Sequence, residues 1–155
     1  MVDIPYFDTY TILGHTFLLP VHVKLLVAAA LIGLTIGLER AFRRKVASLR
    51  TFSFICMGSC MFSIISVEAG GAMRTAGGLS PGTSFYDITR VAAGIVTGVG
   101  FLGGGVIFKS QDKIEGITTG AMIWMTAALG MACGFNDVAL ALWGLIIYLS
   151  VLIIS

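Results

Sequence analysis

The sequence predicts an all-α membrane protein with five transmembrane helices, and three observations carry that prediction. Hydrophobic residues make up 57% of the 155 positions and charged residues only 12%, with a mean hydropathy of +0.96. A soluble domain carries about 25% charged residues. The ten basic and eight acidic residues gather in short segments between long apolar runs. Five of those runs, about 21–38, 51–67, 91–108, 117–134 and 137–155, reach the roughly 17–25 residues that a bilayer-crossing helix needs.

Residues 1–20 read as an extracytoplasmic lead-in. The start, MVDIPYFD, is acidic rather than basic and no small-residue cleavage site follows an apolar core, so it is not a signal peptide. Pro20 stands where a first helix can begin. The connection after helix 1, Glu39 to Arg50 (ERAFRRKVASLR), carries five basic residues against one acid. The positive-inside rule places it in the cytoplasm, which puts the N-terminus outside and, after five spans, the C-terminus inside.

The second connection, about 68–90, is rich in glycine, contains Pro81 and reads as a mobile outer loop. The third, Lys109 to Glu115, is short, charge-balanced and cytoplasmic. The fourth is a tight turn at Gly134–Asp137, where Asn136 or Asp137 can cap the last helix. Residues 21–155 therefore form one membrane domain, with no cytoplasmic domain expected after the fifth span. Helices 1–2 and 3–4 have the same shape, and a shift of 68 residues superposes Leu34 on Leu102, Gly37 on Gly105, Thr51 on Thr119 and Met57 on Met125. A parallel two-hairpin repeat plus a fifth helix is the resulting hypothesis.

The stretch GVGFLGGGVIFK at 98–109 begins with G-x-G-x-x-G, the pattern of a dinucleotide-binding turn. That turn needs a strand before it, a helix after it and an acid about 20 positions on. Here the glycines lie in an apolar run whose only polar side chain between Val91 and Phe108 is Thr97, which removes the nucleotide reading. Glycine also lets membrane helices approach closely, and Gly94-x-x-x-Gly98 and Gly100-x-x-x-Gly104 have that spacing. The run Gly103-Gly104-Gly105 also invites a break, allowed at membrane depth only where protein or water satisfies the backbone. Gly100–Gly105 is either a tight helix crossing or an opened backbone lining a site, and the crossing is preferred.

Three charged or polar groups stand out. Glu39 places a carboxylate at the unfavourable negative end of helix 1, so a cation should neutralise it; Arg50 across the connection is the natural partner and Arg43 the local competitor. Asp87 fits an N-cap of helix 3, while Arg90 puts a cation near the positive end of the same helix, which is best resolved by pairing or an inward orientation. Thr118 and Thr119 open helix 4, and Trp124 lies deeper than an interfacial tryptophan should, in reach of the helix 3 glycines.

Other constellations are weaker. Cys56, Cys60 and Cys133 lie in apolar segments without His, Asp or Glu beside them and read as buried small hydrophobes. His15 and His22, with Asp3 and Asp8 upstream, are a speculative outer cation site. No metal or cofactor is expected, and no nucleophile–base pair can be assembled from the spacing, which argues against an enzyme. A net charge of +2 without a basic stripe interleaved with aromatics argues against nucleic acid.

Several segments together, GLER at 37–40, SLRT at 48–51, DITRVAA at 87–93, GVGFLGGGVI at 98–107 and GITTGAMIW at 116–124, resemble the MgtC/SapB family of bacterial membrane proteins, in the same order and with similar spacing over about residues 21–140. The resemblance implies a five-helix domain of the bacterial inner membrane, associated with growth in low magnesium and, in pathogens, with virulence and survival inside macrophages. It implies a modulator of other membrane proteins, such as ion-motive ATPases, more than a magnesium carrier. By position, the family's motif residues fall on Glu39, Arg40, Arg50, Asp87, Arg90, Gly98, Gly100, Gly103, Gly105, Thr118, Thr119 and Trp124, with Gly104 inside the same glycine run. This chain departs from the pattern at Ala41, where the family commonly has an acid, and at Gly94, where it commonly has glutamine; many members also carry a cytoplasmic C-terminal domain.

The expectation is a non-enzymatic modulator in the lipid bilayer, forming a homo-oligomer through its glycine-rich faces. The alternative is a transporter or channel for an ion or small solute, with its site at the glycine-rich segment of helix 3.

Overall fold

A computed structural model describes residues 7–12, 15–43, 49–75, 88–110 and 112–154. A hairpin of β1 (Phe7–Ile12) and β2 (His15–Pro20), paired from Phe7↔Pro20 to Ile12↔His15, leads into α1 (Val21–Phe42). There follow α2 (Leu49–Thr75), α3 (Ile88–Gly105), a second hairpin of β3 (Phe108–Ser110) and β4 (Lys113–Glu115), α4 (Ile117–Gly134) and α5 (Val138–Ile154). The hairpin β3–β4, with Phe108 opposite Glu115 and Ser110 opposite Lys113, replaces the plain loop expected at 109–115. Three-residue strands are too short to show an alternating pattern.

Five helices stand where five apolar runs stand, but their ends differ. α1 continues four residues past the predicted Leu38, and α2 continues from the predicted 67 to Thr75, into the segment read as loop. α3 both starts and stops three residues early, closing at the third glycine of its run. The cause is general: hydropathy marks where apolar side chains stop, whereas a helix stops where its backbone hydrogen bonds stop. Among the described residues three stretches, Val21–Phe42, Leu49–Ala69 and Ile117–Gly134, are long and apolar enough to cross a bilayer, and the apolar part of α5, Val138–Leu152, is shorter.

The turn between α4 and α5 follows the predicted chemistry. Asn136 has φ 64, the left-handed region that Asn tolerates. Its N–H donates to the Cys133 carbonyl at 2.9 Å and that of Asp137 to the Ala132 carbonyl at 2.9 Å, the hydrogen-bond pattern of a Schellman helix end. Asp137 then caps α5, its Oδ1 accepting from the Leu140 N–H at 2.9 Å.

α4 touches all four other helices and forms the centre of the bundle. Small residues set the crossings. A Cβ on Gly33 would lie 2.6 Å from the Ser53 Cα, and one on Gly37 2.6 Å from that of Leu49, so α1 and α2 run antiparallel with backbones in contact. Gly130 and Gly134 likewise seat α4 on the Cys56 and Cys60 carbonyls of α2, in parallel. The core these crossings enclose holds Ala29, Ile32 and Ile36 from α1, Phe52, Cys56 and Cys60 from α2, and Met122, Ile123 and Cys133 from α4. The three cysteines are free and buried. Three hydroxyls in this core are satisfied within their own helices, Ser53 donating to the Leu49 carbonyl at 2.7 Å, Ser63 to that of Ser59 at 2.9 Å and Thr126 to that of Met122 at 2.7 Å, whereas the buried Ser66 hydroxyl has no partner. Under the 68-residue shift, burial agrees at Leu34/Leu102 and Met57/Met125 and differs at Gly37/Gly105 and Thr51/Thr119.

Candidate functional site

The last turn of α1 and the first turn of α4 meet at one end of the bundle. On α1 the buried positions Ala29, Ile32, Gly33, Ile36 and Gly37 recur at helical spacing, and the next member of that stripe is Arg40. Arg40 is 4% exposed. Its Nη2 donates to the Thr119 Oγ1 at 3.1 Å, a buried bond between residues 79 positions apart, while its Nε has no hydrogen-bond partner. The guanidinium also lies at the C-terminal, negative end of α1, where a cation is favoured.

Glu39 is neutralised from its own helix. Arg43 Nε approaches Glu39 Oε1 to 2.6 Å, with Arg40 Nη1 at 4.0 Å from Oε2. The approach is off the hydrogen-bond axis, so both carboxylate oxygens are buried without a hydrogen-bond donor. Arg50, the partner expected from the sequence, is exposed in the first turn of α2. The correction has a simple origin: α1 extends to Phe42, which holds Arg43 one helical turn from Glu39, the favourable i,i+4 order of acid before base. From α5 the Tyr148 phenol reaches the electrostatic neighbourhood of Glu39 and Arg40, and its hydroxyl is buried without a partner.

The facing end of α4 is shaped by Gly116. Its φ of 89 is the left-handed conformation, and a Cβ there would run into the Val106 carbonyl, so only glycine fits. As N-cap it offers no side chain to the first-turn N–H groups of α4, and the first bond back to it is Gly120 N–H to its carbonyl at 2.9 Å. A cavity of about 540 Å³ opens at this junction, lined by Arg40, Arg43, Gly116, Thr118, Thr119 and Leu152 among others.

The other predicted residues lie elsewhere. Asp87 falls outside the described residues. Arg90 is exposed in the first turn of α3, so of the two expected resolutions, pairing or an inward orientation, the inward one is not seen; at a helix end a long side chain can keep its charge at the surface. The crossing of α3 on α4 is real but is centred on Gly103, not on Gly100 and Gly104: a Cβ on Gly120 would lie 2.8 Å from the Gly103 carbonyl oxygen. Gly98, Gly100, Gly104 and Gly105 have open space where a Cβ would be. Gly98 and Gly94 instead line an apolar groove of about 670 Å³ between α2 and α3, with Phe54, Gly58, Phe62 and Leu102. Trp124 is 51% exposed on α4, one helical turn beyond Gly120, the residue that packs against Gly103.

At the opposite end of the bundle His22 Nε2 lies 3.1 Å from Glu68 Oε1. Asp3 is outside the described residues, as are the side chains of Asp8 and His15. No group of three or more His, Cys, Asp or Glu able to hold a metal occurs among the described residues. Sequence reasoning missed the burial of Arg40, which the helical stripe could have revealed, and the parts played by Gly116 and Tyr148, which depend on tertiary contacts.

The MgtC family model matches residues 26–155. A protein of Escherichia coli (strain K12) named "Putative magnesium transporter YhiD" is 42% identical over 130 residues, covering 84% of this chain and 58% of its own. Protein SapB of Bacillus subtilis (strain 168) is 44% identical over 111 residues, 68% of this chain and 44% of its own. Protein MgtC of Brucella abortus (strain 2308) is 41% identical over 109 residues, 70% and 40% respectively. The chain thus spans about half the length of the curated relatives it matches. No solved structure is significantly similar to it. With the family model covering most of its length, the chain belongs to the MgtC family, a multi-pass bacterial membrane protein.

Proposed function

We propose that this chain is a non-enzymatic modulator of other membrane proteins, linked to magnesium limitation, with five spans in the cytoplasmic membrane, its N-terminus outside and the Arg40 end of the bundle at the cytoplasm. Ion-motive ATPases are the candidate partners, and the open glycines of α3 are the candidate face for self-association. The basic segment from Arg40 to Arg50 supports this orientation. The observation that carries the modulator reading is the closed centre. Gly130 and Gly134 press the α4 backbone onto that of α2, and among the described residues cavities lie at both ends of the bundle and on its α2–α3 flank. Recognition surfaces on the outside suit a protein that acts by contact.

A transporter is the second reading, favoured by the buried Glu39 carboxylate with no hydrogen-bond donor and by the name given to the Escherichia coli relative. Purified protein in sealed vesicles separates the two. Under Mg2+, K+ or proton gradients the modulator gives no flux above empty vesicles, whereas flux abolished by Glu39→Gln establishes the transporter.

A further inference from the structure

We infer that the cavity where α1 meets α4 is a binding site for a phosphate group, carried by an anionic phospholipid headgroup or free in solution. Four features converge there. The first turn of an 18-residue helix opens onto it, with no side-chain cap and no acidic residue in the turn, and uncapped N–H groups at a helix N-terminus attract anions. Thr118 and Thr119 add hydroxyls from the same turn. Arg43 lines the cavity from the rim, its side chain 55% exposed.

The fourth feature is independent of the helix end. Arg40, 4% exposed, lines the same cavity with its Nε lacking an acceptor. A buried guanidinium N–H without a partner is strongly unfavourable, and a phosphate oxygen is the acceptor that a guanidinium fork fits best. Charge agrees: two arginines face the cavity, while Glu39, the carboxylate beside them, is not part of its lining. Two cations against one neighbouring acid leave a net positive site. Its volume of about 540 Å³ has room for a phosphate group from either source. The inference is independent of whether the chain modulates a partner or carries a solute.

The test uses the whole chain with two phosphate probes. In the lipid arm, protein in nanodiscs of phosphatidylcholine with a minor fraction of phosphatidylglycerol is released into the gas phase and the retained lipid identified by native mass spectrometry. In the solution arm, detergent-solubilised protein is dialysed to equilibrium against radiolabelled inorganic phosphate. The wild type should take up at least one probe. Selective retention of phosphatidylglycerol assigns a headgroup, and uptake of inorganic phosphate assigns a free anion. Thr118→Val, at an exposed position, should fold normally by circular dichroism and weaken uptake a few-fold; Arg43→Gln, combined with Glu39→Gln so that no buried carboxylate loses its counter-ion, should weaken it roughly tenfold or more. Lys109→Gln, on the exposed β3 outside the cavity, should leave uptake unchanged. Uptake of neither probe overturns the inference, as does unchanged binding by the combined Glu39→Gln and Arg43→Gln variant and by Thr118→Val. Equal loss in Lys109→Gln and in that combined variant does so too, since it would show a diffuse basic surface.

Discussion

Arg40 is the residue on which the site turns, because it is both a buried charge and the tie between two helices. Removing one partner of a buried charged contact costs about 3–5 kcal/mol, so Arg40→Met should destabilise the bundle by about 3 kcal/mol, read from unfolding in mixed micelles on titration with dodecyl sulfate. Thr119→Val leaves the guanidinium without its acceptor and should cost about 1–3 kcal/mol, whereas the same change at exposed Thr118 should cost little. Equal effects at the two threonines would dissolve the structural role of the Arg40–Thr119 bond. Gly116→Ala places a side chain on a left-handed residue and against the Val106 carbonyl, and should cost at least about 1–3 kcal/mol. At this scale the sequence was partly legible. Glu39 could be singled out from the helix dipole alone, and Arg40 could have been read from the stripe Ile32, Ile36, Arg40. Tyr148 could not, since nothing within α5 says that this residue meets the end of α1.

Helices were legible as apolar runs, and α4 was placed at its observed limits because its last residue is followed by turn-forming Asn136 and Asp137. The ends of α1 and α2 were not, because Glu39 to Phe42 and Glu68 to Thr75 are helical without being apolar. Glycine spacing said that helices would cross closely without saying which glycines do so. Packing now separates them. Gly130→Leu inserts a side chain where the Cys56 carbonyl stands and should cost about 3 kcal/mol through overpacking. Gly98→Leu enters open space and should change the stability of the single chain by no more than about 0.5 kcal/mol. The same variant crowds the groove between α2 and α3, so the proposed self-association should weaken while the fold persists, a contrast measurable by cross-linking in membranes. Assembly unchanged in Gly98→Leu would move the subunit contact to another face.

For the whole molecule, the helical membrane class and the number of helices followed from hydropathy, while the central position of α4 did not, because helix neighbours depend on faces rather than on averages. The fully buried thiols of Cys56, Cys60 and Cys133 give a direct probe of the intact bundle. Membrane-permeant maleimide should leave the native protein unlabelled and modify it after unfolding. Against that silent background, single cysteines introduced at Ser110 and Asn136, exposed in the β3–β4 hairpin and the α4–α5 turn, should react with an impermeant reagent from opposite sides of the membrane, Ser110 from the cytoplasm. Labelling of both from one side would show that α4 does not cross, and labelling of Ser110 from outside would reverse the proposed orientation.

The parallel contact of α2 with α4 also dictates an order of events during synthesis. The α1–α2 hairpin can close as soon as it leaves the ribosome, but the face of α2 that carries Cys56, Ser59, Cys60 and Ser63 receives its neighbour only after α3 and α4 have been made. During that interval a stripe of thiols and hydroxyls stands against acyl chains. The arrival of α4 is therefore the step that buries this stripe and completes the core.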